Sequence, residues 1–202
     1  MKVLFFVITT LIITSLQGCI PLIAAGVGAG ALSIADRRTT GAQLDDTSIE
    51  PKIYTRFREQ FGTSQYNVDV TSYNRRVLLT GTASSEEVKN KLTEIAASVP
   101  NVASVTNEVA IGIPSSRVKG DALITSNVKT RFLTSNEGKF NVNNIKVLTE
   151  NNTVYLLGIV TQAEGEAAAE VARTSKGVQR VVKVFEYINA APEAAPKTTA
   201  AQ

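Results

Sequence analysis

The 202-residue sequence contains no histidine, no tryptophan and a single cysteine, Cys19. Without histidine it lacks the side chain best suited to acid–base catalysis at neutral pH, and it lacks the usual nitrogen ligand of zinc. The pair Ser84-Ser85 has no histidine to activate it as a nucleophile, and one cysteine excludes a disulfide within the chain. The composition therefore favours a protein that is not an enzyme, with no catalytic residue, no metal site and no cofactor.

Charge is also scarce and nearly balanced. The chain has 21 basic and 18 acidic residues, whereas nucleic-acid-binding domains cluster positive charge on one face. We therefore expect no nucleic-acid partner and only a weak preference for anionic ones. The acidic groups that stand out are Asp45-Asp46, Asp69 and Glu86-Glu87; the first and last lie where helix caps are expected, and Asp69 lies on the outward side of a predicted strand.

Residues 1–18 have the pattern of an export signal. Lys2 is followed by an apolar run that is too short to span a bilayer. The run ends in Leu16-Gln17-Gly18-Cys19, which resembles the lipobox of bacterial lipoproteins. In that family the signal is cleaved before the cysteine, whose thiol receives a diacylglyceryl group and whose new amino group is acylated. The resemblance makes Cys19 a lipidation site. An ordinary signal peptide, or a membrane anchor with an incidental cysteine, is the alternative.

The segments at either end of the predicted folded region have biased compositions. Residues 19–45 begin with a glycine-rich apolar stretch and are predicted to be a flexible tether; a membrane helix is the alternative, although glycines weaken a helix. Residues 190–202 are rich in Ala, Pro and Thr and are predicted to be a disordered tail.

Residues 46–112 and 121–189 repeat one pattern, with a linker at 113–120. Each block opens with apolar residues at four-residue intervals, which predicts an amphipathic helix. In the first block these residues are Ile53, Phe57 and Phe61, after the possible caps 46–48; in the second they are Ile124, Val128 and Phe132, after Asp121.

Each block continues with two β-rich runs around an Asn-bearing turn, which predict a hairpin. A hydroxyl three residues before a glutamate then marks the start of a second helix, and a short apolar run predicts a last strand. The order in each block is helix, strand, strand, helix, strand, and two helices would cover one face of a three-stranded sheet.

This order and two short motifs resemble the BON domain. The first motif is Val77–Gly81 and Val154–Gly158, and the second is Asn101–Asn107 and Gly177–Lys183. The first copy has Asn101 where glycine is usual, and the second has Lys183 where asparagine is usual. The resemblance implies an α+β fold made of two tandem BON domains, each αββαβ with two helices packed on a three-stranded mixed sheet.

Two such domains behind a lipobox are similar to the dual-BON-domain outer-membrane lipoproteins, and Ile20, after the cysteine, also points to the outer membrane. The resemblance implies a lipid-anchored protein that faces the periplasm, binds anionic phospholipid membranes through its second BON domain and maintains envelope integrity. It also implies links to the outer-membrane assembly machinery, to cell-wall amidase regulators and to the division site. An adaptor that binds a protein partner or peptidoglycan is the alternative function.

The resemblance places the phospholipid-binding site on the first helix of the second domain. With Ile124, Val128 and Phe132 facing the sheet, a helical wheel places a different set of side chains outward. The predicted phospholipid-binding residues are Lys119, Leu123, Ser126, Lys129, Thr130 and Leu133. The matching helix of the first domain carries Glu50 and Glu59, predicted to point outward. An ordinary solvated helix, or one whose Leu123 packs on the first domain, is the alternative.

Overall fold

The computed structural model describes residues 36–62, 64–114, 120–135 and 139–189. The predicted lipidation residue Cys19, the predicted tail at 190–202 and Lys119 lie outside these ranges. None of the helices in these ranges has both the length and the hydropathy of a membrane span.

Two similar units follow each other along the chain. The first consists of α1 (Thr40–Gln60), β1 (Tyr66–Tyr73), β2 (Arg76–Ala83), α2 (Glu86–Ala97), β3 (Ser104–Asn107) and β4 (Ala110–Ile111). The second consists of α3 (Asp121–Thr134), a 3-10 turn (Val142–Asn144), β5 (Ile145–Glu150), β6 (Thr153–Val160), α4 (Gln162–Arg173) and β7 (Arg180–Tyr187).

Both sheets contain the same mixed arrangement of three strands, and the first has a short fourth strand as well. In the first, β2 pairs antiparallel with β1 and parallel with β3 and the short β4. In the second, β6 lies between antiparallel β5 and parallel β7. Two helices cover one face of each sheet and form its core, so the predicted α+β fold with two αββαβ domains is confirmed. The first sheet differs from the predicted three strands by the short fourth strand β4.

The first helix begins earlier than predicted. The side chain of Thr39 accepts a hydrogen bond from the amide of Ala42 and caps a helix that starts at Thr40. The predicted tether extends to residue 45 and therefore overlaps the first turns of α1. The predicted caps at 46–48 lie inside the helix, and α3 is preceded by Gly120 without a side-chain cap.

Asp46 and Asp121 have a different role, because each holds the hairpin turn of its own domain. The Asp46 carboxylate accepts hydrogen bonds from the amides of Asn74 at 2.8 Å and Arg75 at 2.7 Å. The Asp121 carboxylate accepts from Asn151 and Asn152, both at 2.9 Å. All four turn residues have positive φ, as a type I′ turn requires, and both aspartates are buried.

The glycines of the first motif allow neighbouring strands to approach closely. A Cβ atom at Gly81 would lie 2.2 Å from the carbonyl oxygen of Asn67, and one at Gly158 would lie 2.4 Å from that of Asn144. Asn101 has a φ of 72° and Gly177 a φ of 91°. Asparagine is among the residues that tolerate this conformation, which explains why it replaces the usual glycine.

An arginine beside the core phenylalanine ties the two helices of each domain together. Arg56 donates to the hydroxyl of Ser98 just after α2, at 2.7 Å. Arg131 donates to the carbonyl of Val171 at 3.0 Å, and also to the hydroxyls of Thr174 and Ser175 after α4. Both arginines therefore satisfy acceptors at a helix C-terminus, where cations are favourable.

The sheet faces without helices pack against each other. The buried side chains of this interface form one apolar cluster: Tyr73 and Leu78 from the first domain, and Tyr155, Leu157 and Ile159 from the second. The Tyr73 hydroxyl donates to the carbonyl of Asn144 at 3.1 Å. The two domains are therefore joined back to back, with their helices on the outer faces.

Candidate functional site

The predicted phospholipid-binding residues within the described ranges lie on one face of α3. Ile124, Val128 and Phe132 are buried in the second core, and the helical period of 3.6 residues directs the predicted set to the opposite side over an arc of about 120°. We call this set the outer surface of α3: Leu123, Ser126, Lys129, Thr130 and Leu133, all of them exposed.

The outer surface of α3 combines apolar and cationic groups. The side chain of Leu123 is 71% exposed and that of Leu133 is 72% exposed, and Lys129 lies between them in sequence. The helix carries one carboxylate, that of Asp121. This carboxylate is buried and accepts hydrogen bonds from the amides of the hairpin turn. The exposed face of α3 therefore carries positive charge and two outward leucines.

The first domain offers an internal comparison, because α1 aligns with α3 when Asp46 is matched to Asp121 and Phe57 to Phe132. At the positions of Leu123 and Leu133, α1 carries Ser48 and Arg58. The two copies thus share a buried face and differ on the exposed one.

Glu50, which was predicted to point outward on α1, instead makes a contact between the domains. Its carboxylate accepts a hydrogen bond from the amide of Ser72 at 2.8 Å and lies 3.5 Å from the ammonium of Lys146. Glu59 is exposed, as predicted.

A feature that the sequence did not indicate lies just before α1, at residues 36–38. Arg37 forms a bidentate pair with Glu164, at 2.6 and 3.0 Å, and donates to the carbonyl of Ile159 at 3.0 Å. Arg38 makes a 3.1 Å ion pair with Asp46 and lies 4.3 Å from the centre of the Tyr73 ring. Neighbouring arginines thus bind different domains, and we call residues 36–38 the arginine clasp.

The electrostatics of the clasp follow from its partial burial. Burial by itself raises the pKa of Glu164, but the hydrogen bonds from Arg37 and from the Thr161 amide lower it by more, so this pKa lies below its usual value. Burial also raises the pKa of Asp36, but the hydrogen bonds and the charge of Arg38 lower it by more, so this pKa too lies below its usual value. Burial raises the pKa of Tyr73 to about 12. At neutral pH, the carboxylates are charged and the phenol is neutral.

We expect the clasp to weaken in acid. Because the pKa of Glu164 is depressed in the folded state, its stabilising contribution is complete above the unfolded pKa of about 4.3 and is lost as pH falls through the folded value. The unfolding free energies of wild type and Arg37→Met should differ by about 1–2 kcal/mol at pH 7. Urea denaturation at steps between pH 7 and pH 3 should show that difference shrinking below about pH 4. A difference that does not vary with pH would contradict this assignment.

The fold defines a class of protein, one built from two αββαβ domains in tandem. The family model of the BON domain matches residues 45–112 and 120–189, and the chain belongs to the BON-domain family. Over 177 residues it is 35% identical to Outer membrane lipoprotein DolP of Haemophilus influenzae, with 86% of this chain and 91% of that protein covered. The predicted resemblance to dual-BON outer-membrane lipoproteins is confirmed, as is the predicted location in the outer membrane as a lipoprotein.

The chain is also similar to a second curated protein in sequence and, much more weakly, to a solved structure. The chain is 33% identical over 156 residues to a 21 kDa hemolysin of Actinobacillus pleuropneumoniae, with 76% of this chain and 79% of that protein covered. The solved C-terminal domain of CdsD, a structural protein of the type III secretion system of Chlamydia trachomatis, matches with a TM-score of 0.28 and 11% identity, covering 71% of this chain and 67% of that one. This structural similarity is too low to inform the fold or the function of the chain.

Proposed function

We propose that the protein is anchored to the outer membrane through Cys19 and docks its second domain on anionic phospholipid, by which it maintains envelope integrity from the periplasmic side. The observation that supports docking is the outer surface of α3, with Leu123 71% and Leu133 72% exposed on a helix face that carries Lys129. Lys119, the other predicted basic residue, precedes this helix in sequence and lies outside the described residues.

The free energies expected for these side chains suit a weak membrane-binding site on a protein that a lipid anchor already holds at the membrane. Full burial of a leucine is worth about 1.5–3 kcal/mol, and a basic residue near an anionic surface adds about 1 kcal/mol. The two leucines are ten residues apart, or about 15 Å along the helix, so both can enter the headgroup boundary when the helix lies flat. An anchored protein meets the bilayer at high effective concentration, so a modest affinity is enough for it to dock.

Vesicle binding tests this proposal. Wild type without its signal and acyl chains should co-sediment with vesicles of phosphatidylglycerol and phosphatidylcholine more strongly than with phosphatidylcholine alone. Lys129→Glu should weaken that binding about tenfold or more, because a lost attraction and a new repulsion together exceed 1.4 kcal/mol. Lys52→Glu, the same change at an exposed lysine of α1, is the matched control and should bind like wild type.

The alternative, an adaptor for a protein partner in outer-membrane assembly or in cell-wall remodelling, predicts a different outcome. Under it, vesicle binding would be equal for wild type and Lys129→Glu. A photo-crosslinker at Leu123 in intact cells would then capture one protein reproducibly. Under docking, the same crosslinker should label phospholipid.

A further inference from the structure

A cavity of about 200 Å³ opens between the last turns of α3 and strand β5. Because β5 is an edge strand of its sheet, this cavity lies at the margin of the second domain. We call it the edge groove; it is lined by Lys129, Phe132, Leu133, Val142, Ile145 and Val147. Apart from the lysine, its lining side chains are hydrocarbon.

In the first domain, a tyrosine side chain occupies the corresponding position between α1 and the edge strand β1. Tyr54 aligns with Lys129, and Val70 aligns with Val147, since they pair with Leu79 and Leu156 at the same point of their hairpins. The Tyr54 hydroxyl accepts a hydrogen bond from the amide of Val70 at 2.9 Å, and its ring packs on the first core.

The second domain cannot repeat that closure. A lysine ammonium has only donors, so Lys129 cannot accept the amide of Val147 as Tyr54 accepts that of Val70. The groove is left open beside the outward Leu133, with a positive charge at its mouth. A hydrocarbon slot with a cation at its entrance is complementary to an anionic amphiphile, whose chain the slot would cover.

The size of the groove limits what can enter. Cavities that enclose a drug-sized ligand measure about 300–1,000 Å³, so 200 Å³ holds a segment of one chain and not a whole lipid.

We propose that the edge groove takes the headgroup-proximal segment of one acyl chain of an anionic phospholipid, while Lys129 binds its phosphate. This inference rests on the proposed docking of α3 and adds that docking draws one chain out of the bilayer and against β5. A single-chain lysophospholipid of the same headgroup should occupy the groove without any membrane.

The test uses lysophosphatidylglycerol at concentrations below those at which it forms micelles. In wild type, saturable shifts of the methyl NMR signals of Ile145 and Val147 are expected. Val142→Phe, which places a ring in the groove without a change of charge, should weaken this binding about tenfold or more. Lys129→Tyr, the residue of the first copy, provides a second closed variant.

Leu123→Ser is the matched control, because Leu123 belongs to the outer surface of α3 and does not line the groove. It should weaken vesicle binding and leave the binding of monomeric lysophosphatidylglycerol unchanged. Wild type that binds phosphatidylglycerol vesicles without methyl shifts from the monomer would overturn the groove and leave the docking proposal standing. Wild type that binds neither would overturn both, and equal monomer binding by wild type and both closed variants would overturn the groove alone.

Discussion

Replacing Asp46 with alanine is expected to lower the free energy of unfolding by about 3–5 kcal/mol, the range for removing one partner of a buried charge pair. The Asp46 carboxylate accepts from the Ser72 hydroxyl, the amides of Asn74 and Arg75, and the Arg38 guanidinium, at 2.7 to 3.1 Å. Alanine leaves these donors without their acceptor, the Ser72 hydroxyl in a buried place and the others in partly buried ones. Both the hairpin turn and the arginine clasp should therefore lose their support.

Chemical denaturation of wild type and Asp46→Ala measures this loss. Asp45→Ala is the matched control, because Asp45 is the preceding residue and its carboxylate makes an exposed hydrogen bond with Asn101; its cost should be below about 1 kcal/mol. Equal stabilities of the two variants would refute the assigned role of Asp46.

Replacing Leu157 with aspartate is expected to separate the two domains without unfolding either of them. Leu157 is 1% exposed, within the apolar cluster that joins the sheets. A carboxylate buried there would cost several kcal/mol, whereas separation returns it to water. Each domain keeps its own core on the other face of its sheet, so the change should act on the interface.

Small-angle X-ray scattering of Leu157→Asp should show a larger radius of gyration than that of wild type, and thermal unfolding should resolve two transitions. Leu123→Asp makes the same substitution at a position 71% exposed on α3 and should change neither quantity. A single transition with an unchanged radius of gyration would mean that the domains remain joined.

The sequence predicts the fold of each domain well because the physics that decides it is local. Apolar residues four apart define the buried faces of α1 and α3, and Thr161 with Glu164 forms the capping box that its spacing predicts. Ser85 caps α2 in the same region of the first copy. In each case the pattern and the contact lie within one element.

The interface between the domains had a sequence signal of a different kind. Strand β6 is buried along its whole length, from Thr153 to Val160, and its run of apolar residues does not alternate. Such a run is typical of a strand covered on both faces. It therefore indicated that something other than the helices of its own domain packs on that sheet.

The start of α1 and the arginine clasp could not be predicted from periodicity. Leu44 in the early turns of α1 is 66% exposed, so that part of the helix has little apolar pattern. The segment just before this helix is held instead by polar contacts between residues far apart in sequence, such as the ion pair of Arg37 with Glu164. Pairings of this kind depend on tertiary placement, which one sequence does not reveal.

The back-to-back packing of the sheets gives the molecule two opposite outer sides, each covered by the helices of one domain. Helix α3 faces outward from one sheet and α1 from the other, and the interface fixes the distance between them. If α3 docks on a bilayer as proposed, α1 and α2 point away from it. A ligand held by those helices would therefore stand at a set height above the lipid, so the protein would act as a rigid spacer with one end reserved for the membrane.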